Sequence, residues 1–153
     1  MFKKLLLATF LALGLNAAPL NIDSVVENLQ IKDQHEKVQT IDNNTKLILF
    51  ASDKNTSDLL RDYLLPLSQN ENILEKNSAV YVADISGMPS LISKFIALPK
   101  MKKYPFSILL LDDTNKELFT KEDGKIIVYS LEDGKVTKIE KISTTDELAN
   151  IIK

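Results

Sequence analysis

Apolar residues cluster in short runs along this chain, and polar punctuation separates the runs cleanly. Ala79–Ala83 (AVYVA) is a compact β-rich run that follows the polar stretch Gln69–Ser78, and it predicts a buried strand. Asp84, Ser86 and Gly87 end it. Pro89 suits the first turn of a helix, where its missing N–H costs little. Leu91, Ile92, Phe95, Ile96 and Leu98 then recur at helical spacing, which predicts one buried helix face closed by Pro99. Tyr104-Pro105 stands at the mouth of a second apolar strand, Phe106–Leu111.

The same reading extends to the rest of the chain. Asn21–Leu29 is a short helix or a loop. Leu29–Ile41 alternates around a polar turn and predicts a β-hairpin. Lys46–Ala51 (KLILFA) is a near-continuous apolar run, as a central strand covered on both faces requires. Asn55 or Thr56 caps the helix that follows, whose stripe is Leu59, Leu60, Tyr63 and Leu64 and which Pro66 breaks or kinks. A short helical turn is expected around Ile73 and Leu74. Asp112–Asn115 forms a turn, and Leu118-Phe119 touches the core. Lys125–Leu131 and a strand from Val136 to Ile142 flank Glu132-Asp133-Gly134-Lys135, a strong hairpin signal. Thr144 or Thr145 caps a last helix, with Glu147 behind Thr144 as the capping-box acid. A helix between two strands implies a parallel pair, and a tight turn implies an antiparallel one, so the sheet is mixed.

The first residues change the picture most. Lys3 and Lys4 precede an apolar run, Leu5 to Leu15, that is too short to span a bilayer, and Leu15-Asn16-Ala17 offers a cleavage site. Residues 1–17 are expected to be a signal peptide and 18–153 a single exported domain, periplasmic or secreted. Losing Lys3 and Lys4 takes the formal charge from −2 to −4. Charge is otherwise nearly balanced, which excludes a nucleic-acid footprint. No membrane partner is expected after cleavage. The 153-residue chain contains no cysteine, so disulfides, thiol catalysis and a lipidated anchor are excluded together.

Candidate chemistry is sparse. His35, the only histidine, falls in the predicted hairpin turn and reads as solvated. No nucleophile-elbow motif surrounds Ser52 or Ser57. One histidine without cysteine makes a poor metal set. The acidic pairs Asp112-Asp113 and Asp53/Asp58 read as turns and caps. With four glycines and neither GxGxxG nor GKS, no dinucleotide or phosphate cradle is evident, and no cofactor is expected. Lys94, Lys100, Lys102 and Lys103 form the one local basic cluster, either a solvated helix end or a docking patch.

The layout resembles the thioredoxin superfamily over most of the mature chain. Three features carry the resemblance. The Leu29–Ile41 hairpin, with Asp33-Gln34 and Lys37, is similar to the leading hairpin of peroxiredoxin-like and secreted thiol-oxidoreductase members. Those usually have glycine where this chain has Glu36. The KLILFA strand runs into a helix where the family keeps its CxxC. The Tyr104-Pro105 step resembles the family's cis-proline. More narrowly, Ala83-Asp84-Ile85-Ser86-Gly87-Met88-Pro89 with Ala97-Leu98-Pro99-Lys100-Met101 resembles a group of small exported bacterial proteins lacking the CxxC motif, some of which carry a flavin-dehydrogenase name.

The resemblance implies a three-layer αβα sandwich with a central mixed sheet and an N-terminal β-hairpin. It implies a cis Tyr104-Pro105 bond, although local statistics favour trans. The family's two cysteines align with Lys54 and Ser57, or with Asp53 and Thr56. Thiol–disulfide exchange requires a thiolate, so oxidoreductase and thiol-peroxidase activities are excluded whatever the fold. The expected function is a non-redox module, rather than an enzyme, that binds an envelope protein or peptide. Its expected surface is Asp53, Lys54, Asn55, Thr56, Ser57, Tyr104 and Pro105. The alternative is a flavin-dependent oxidoreductase. The pathway and the oligomeric state stay open.

Overall fold

The computed structural model describes residues 19–153; the expected signal peptide lies outside them. Seven strands form two sheets. β1 (Leu29–Lys32) and β2 (Val38–Ile41) make the antiparallel hairpin, with Leu29 opposite Ile41. β3 (Leu47–Ala51), β4 (Ala79–Asp84), β5 (Ile108–Leu111), β6 (Ile126–Glu132) and β7 (Lys135–Ile142) form the main sheet in the order β5-β4-β3-β6-β7. β3, β4 and β5 are parallel, and β6 and β7 are antiparallel to their neighbours. The chain therefore has the mixed five-stranded sheet and separate hairpin that its pattern predicts. β3 sits in the middle of the main sheet and is buried along nearly its whole length, as its unbroken apolar run requires.

The helices are α1 (Lys54–Leu67), α2 (Ile73–Lys76), α3 (Ser90–Ile92), α4 (Leu98–Met101) and α5 (Thr145–Ile151), with a π-helical turn, Ser93–Ala97, joining α3 to α4. Both parallel crossovers, β3 to β4 and β4 to β5, step the same way across the sheet. Right-handed crossovers then put α1 and the α3–α4 helix on one face. Leu60 and Leu64 of α1, Ile73 and Leu74 of α2, and Leu148 of α5 fill a core on that face with Leu49, Tyr81 and Ile108. Burying each such leucine contributes about 1.5–3 kcal/mol. Tyr63 Oη donates to the Ile152 carbonyl at 2.7 Å, which ties α1 to the C-terminal end.

The opposite face is covered by the hairpin (Ile31, Ile41), by Leu20 and Val26 of the N-terminal segment, and by Phe119 after a 3-10 turn, Lys116–Leu118. Residues 21–28 form turns rather than a helix. Val26 N–H donates to the Gly134 carbonyl, and Val25 pairs with Lys135. The β6–β7 turn needs φ of +50° at Asp133 and +77° at Gly134. A Cβ at Gly134 would come within 2.7 Å of Glu27 Cβ, so glycine is required there twice over.

Several expectations are corrected. Among the capping residues the sequence offers, the cap of α1 is Asp53, read as a cap with Asp58, and not Asn55 or Thr56; the helix carries Pro66 inside its last turn. Pro99 does not close its helix. The chain stays helical to Met101, and the extra residue in the Ser93–Ala97 turn makes room for a ring that lacks an N–H and crowds the preceding turn. The expected buried face of that helix is exposed, and α3, the π turn and α4 contain no buried residue.

Tyr104-Pro105 is trans, with no cis peptide bond among the described residues. The physical reason is the intrinsic trans preference of an X-Pro bond, which nothing opposes where the proline leads into an edge strand. The strand that follows Pro105 is β5, the edge strand parallel to β4 and one strand removed from β3. The strand antiparallel to β3 is β6. The loop leading into it, 121–125, reaches the start of α1, where Gly124 N–H donates to Asp53 Oδ2 at 2.8 Å. That loop contains no proline.

Candidate functional site

The carboxyl ends of β3 and β4 open into a cleft of about 520 Å³ between the start of α1 and the α3–α4 helix. In open α/β sheets this end of the parallel strands is where loops leave room for a ligand. One wall is polar and comes from Ser52, Asp53, Lys54, Ser57, Asp58 and Arg61. The other is largely apolar: Met88, Pro89, Ile92, Ile96, Ala97 and Met101, with Tyr104 and Lys100 beside them. Tyr81, Asp84, Ile85, Gly87, Ile108 and Lys121 complete the lining.

The α1 end of the cleft is locked by a reciprocal capping box. Asp53 Oδ1 accepts from Thr56 N–H at 2.8 Å and from Thr56 Oγ1 at 2.9 Å, while Asp53 N–H donates to Thr56 Oγ1 at 3.3 Å. Burial works to raise the Asp53 carboxyl, but donation from Gly124 N–H and from Thr56 outweighs it and holds the group below its ordinary value. This carboxylate therefore occupies the positive end of the helix dipole itself. Asp58 bridges Lys54 at 2.7 Å and Arg61 at 2.9 Å. The hydrogen bond from Lys54 is the chief reason its carboxyl is also lowered.

Asp84 ends β4 with its side chain only 1% exposed and ion-paired to Lys121. Its Oδ1 accepts from Ser86 N–H at 2.8 Å. Burial raises this carboxyl, and Lys121 and Ser86 together bring it below the ordinary value. Burial likewise pushes the Tyr81 phenol up to about 12, so it stays neutral. Ser52 Oγ is buried without a hydrogen-bond partner in the protein. The cleft thus offers a fixed ion pair and an apolar wall, while the Ser52 hydroxyl beside them is itself enclosed. No paired acid and base of separated acidity stands there.

Of the residues expected at the site, Asp53, Lys54, Ser57 and Tyr104 do line the cleft. Thr56 is buried in the capping box, Asn55 is exposed on α1, and Pro105 is exposed outside the cleft. Two backbone groups on the β5 side of Pro105 are not free for a peptide. Gln34 Nε2 donates to the Phe106 carbonyl at 2.8 Å, and Ile108 N–H donates to Gln34 Oε1 at 2.8 Å. Sequence reading missed Asp84, Lys121, Arg61 and the α3–α4 wall. An acid closing an otherwise apolar strand was the one available sign of Asp84.

No protein-family model matches the chain, and no curated protein matches it. Solved structures do. The thioredoxin domain of a thiol-disulfide oxidoreductase from Bacteroides vulgatus superimposes with a TM-score of 0.51 at 15% identity, over 88% of this chain and 99% of that one. A thiol:disulfide interchange protein from Bacteroides sp. gives 0.51 at 14%, over 87% and 91%. Peroxidoxin BcpB from Mycobacterium tuberculosis gives 0.52 at 13%, over 86% and 92%. The chain therefore has a thioredoxin-like fold. It carries no cysteine, and the start of α1 is held by the Asp53–Thr56 capping box.

Proposed function

We propose that this chain is an exported, redox-inactive thioredoxin-like protein whose cleft binds an extended apolar segment of an envelope polypeptide. The observation that supports this most is the cleft itself. An apolar wall faces a polar one at the carboxyl ends of β3 and β4. Apolar pockets with a few fixed polar groups are the usual form of a binding site. Recognition runs through side chains in this cleft rather than through strand addition at Pro105, where Gln34 already occupies the backbone.

The test is titration of the purified protein against an array of extended peptides. Apolar peptides are expected to bind, and Ala97→Trp, which plugs the cleft, and Met88→Asp, which charges its apolar wall, are both expected to abolish binding. Unchanged affinity in both folded variants would overturn the reading. Export is tested by N-terminal sequencing of envelope material, which is expected to begin at Ala18. The flavin alternative requires a visible absorbance band; a colourless protein without insulin-reducing activity is the expected outcome.

A further inference from the structure

From Met88 to Lys103 the chain carries four lysines and no carboxylate, although the protein as a whole is acidic. The structure gives this stretch two unusual properties. Leu91, Ile92, Phe95 and Ile96 project into solvent, exposed by 70%, 45%, 65% and 65%. Lys94, Lys100, Lys102 and Lys103 make no ion pair among the described residues. Lys94 Nζ lies 5.8 Å from the centre of the Phe95 ring, so cation and apolar surface are interleaved. Large exposed apolar residues standing singly need no explanation, but a contiguous group ringed by polar residues marks an interaction surface.

We propose that the α3–α4 helix docks this protein onto an anionic lipid surface. Charge complementarity selects the occupant: unpaired cations flank the apolar face and no carboxylate on the segment opposes them. Shape agrees, because these side chains stand out from a convex helix that buries none of its own residues. A folded partner would need a matching groove, whereas the headgroup region conforms to whatever enters it. Leu91 and Phe95 reach the acyl boundary, and the lysines lie at the phosphates with their stems along the apolar surface. This departs from the sequence expectation of no membrane partner. Ile92, Ile96 and Lys100 belong to both this patch and the cleft wall, whereas Leu91, Phe95, Lys102 and Lys103 lie outside the cleft and so report on the patch alone.

Co-sedimentation with vesicles tests the proposal. The purified protein is expected to bind vesicles of mixed phosphatidylglycerol and phosphatidylcholine, and to bind pure phosphatidylcholine far more weakly. Raising the salt to about 1 M, where the screening length falls to about 3 Å, should release it. Each lysine near an anionic surface is worth about fivefold in affinity, so Lys102→Glu with Lys103→Glu should weaken binding by more than about twentyfive-fold. Leu91→Ser with Phe95→Ser should weaken it at least tenfold while the melting temperature stays unchanged. Both pairs substitute exposed side chains, and the charge pair remains informative if the apolar pair folds poorly. Absence of binding to anionic vesicles at low salt overturns the proposal, as does equal binding to neutral ones or binding that neither pair affects. Capture by poly-glutamate without vesicle binding would assign the patch to an acidic polypeptide instead. Self-association lost in Phe95→Ser, without vesicle binding, would assign it to a second copy.

Discussion

Two regions flank β5, and they treat polarity in opposite ways. The hairpin tip brings Asp33 and Gln34 inside, at 4% and 1% exposure. The α3–α4 helix turns leucine, isoleucine and phenylalanine outward. At the tip every buried side-chain polar atom has a partner. Asp33 Oδ1 accepts from the N–H groups of His35 and Lys37, and its Oδ2 accepts from Gln39 Nε2. The Gln34 amide bonds the Phe106 carbonyl and the Ile108 N–H, standing in for a neighbouring strand at the sheet edge. The contrast teaches that burial follows the partners an element finds, and that hydrophobicity alone does not decide it. A buried amide is stable where the edge of β5 needs a donor and an acceptor together. An apolar helix face stays outside where nothing in the chain packs on it.

The sharpest way to break the comparison is Gln34→Ala. It strips partners from the Phe106 carbonyl and the Ile108 N–H at once, and each buried orphan costs about 1–3 kcal/mol. The expected loss in urea unfolding is roughly 2–6 kcal/mol, a large share of a stability of about 5–15 kcal/mol. A loss below about 1 kcal/mol would mean that the edge finds other partners and that the hairpin tip does not lock it.

Asp53→Ala comes next, at about 1–2 kcal/mol near neutral pH for a lost helix cap. Its dependence on pH follows from the lowered carboxyl. A group whose folded value lies below its ordinary 3.8 stabilises the fold above that value and loses the contribution as pH falls through the folded one. Wild type and variant should therefore converge in acid. Asp33 is lowered in the same sense, with burial opposing and the Gln39, His35 and Lys37 donors prevailing, so Asp33→Asn should flatten the acid limb further. A gap between wild type and Asp53→Ala that is constant with pH would refute the assignment of the cap to the ionised carboxylate.

What could be read from the sequence was mostly local. Asp133-Gly134 marks its turn because the turn needs positive φ at both positions. Thr144 with Glu147 marks its helix because their bonds lie within one turn: Glu147 N–H donates to Thr144 Oγ1 and Thr144 Oγ1 donates to Glu147 Oε1, while the return bond to the backbone comes from Ser143 N–H rather than from Thr144 N–H. The α1 cap was legible only as a choice, because Asp53, Asn55 and Thr56 are all capping types within one turn and the helix start at Lys54 selects Asp53. The long-range features were hidden. Helical spacing shows that Leu91, Phe95 and Ile96 share a face, but not whether anything covers it. Nothing in a hairpin turn reveals that Gln34 bonds residues more than seventy positions away. Assigning Pro105 to the family's cis-proline required knowing which strand pairs with β3, and the apolar runs of β5 and β6 are interchangeable on that point. The cleft was half legible for the same reason: its α1 wall is local to the β3–α1 junction, and its α3–α4 wall is not.

Pro105→Ala sharpens the correction. With a trans bond and an exposed ring, the substitution removes only a restriction on the unfolded chain, and the expected destabilisation is about 0.4–1 kcal/mol. A loss several times larger would point to a native role for the ring that its exposed position does not provide.

The smallest expected effect is the most telling. Phe95→Ser should change stability by no more than about 0.5 kcal/mol, as surface substitutions do. A buried phenylalanine truncated to alanine costs about 3–5 kcal/mol, so the two possibilities are far apart. The ring belongs to neither core cluster, and the Lys94 ammonium lies 5.8 Å from its centre. A near-zero change in unfolding would show that this residue is retained on the surface without contributing to the fold. Together with loss of vesicle binding in Leu91→Ser with Phe95→Ser, it would separate the two sides of β5 into one that holds the structure and one that meets a partner. A large loss instead would show that the α3–α4 helix packs against the body of the protein in solution, and the contrast with the hairpin tip would disappear.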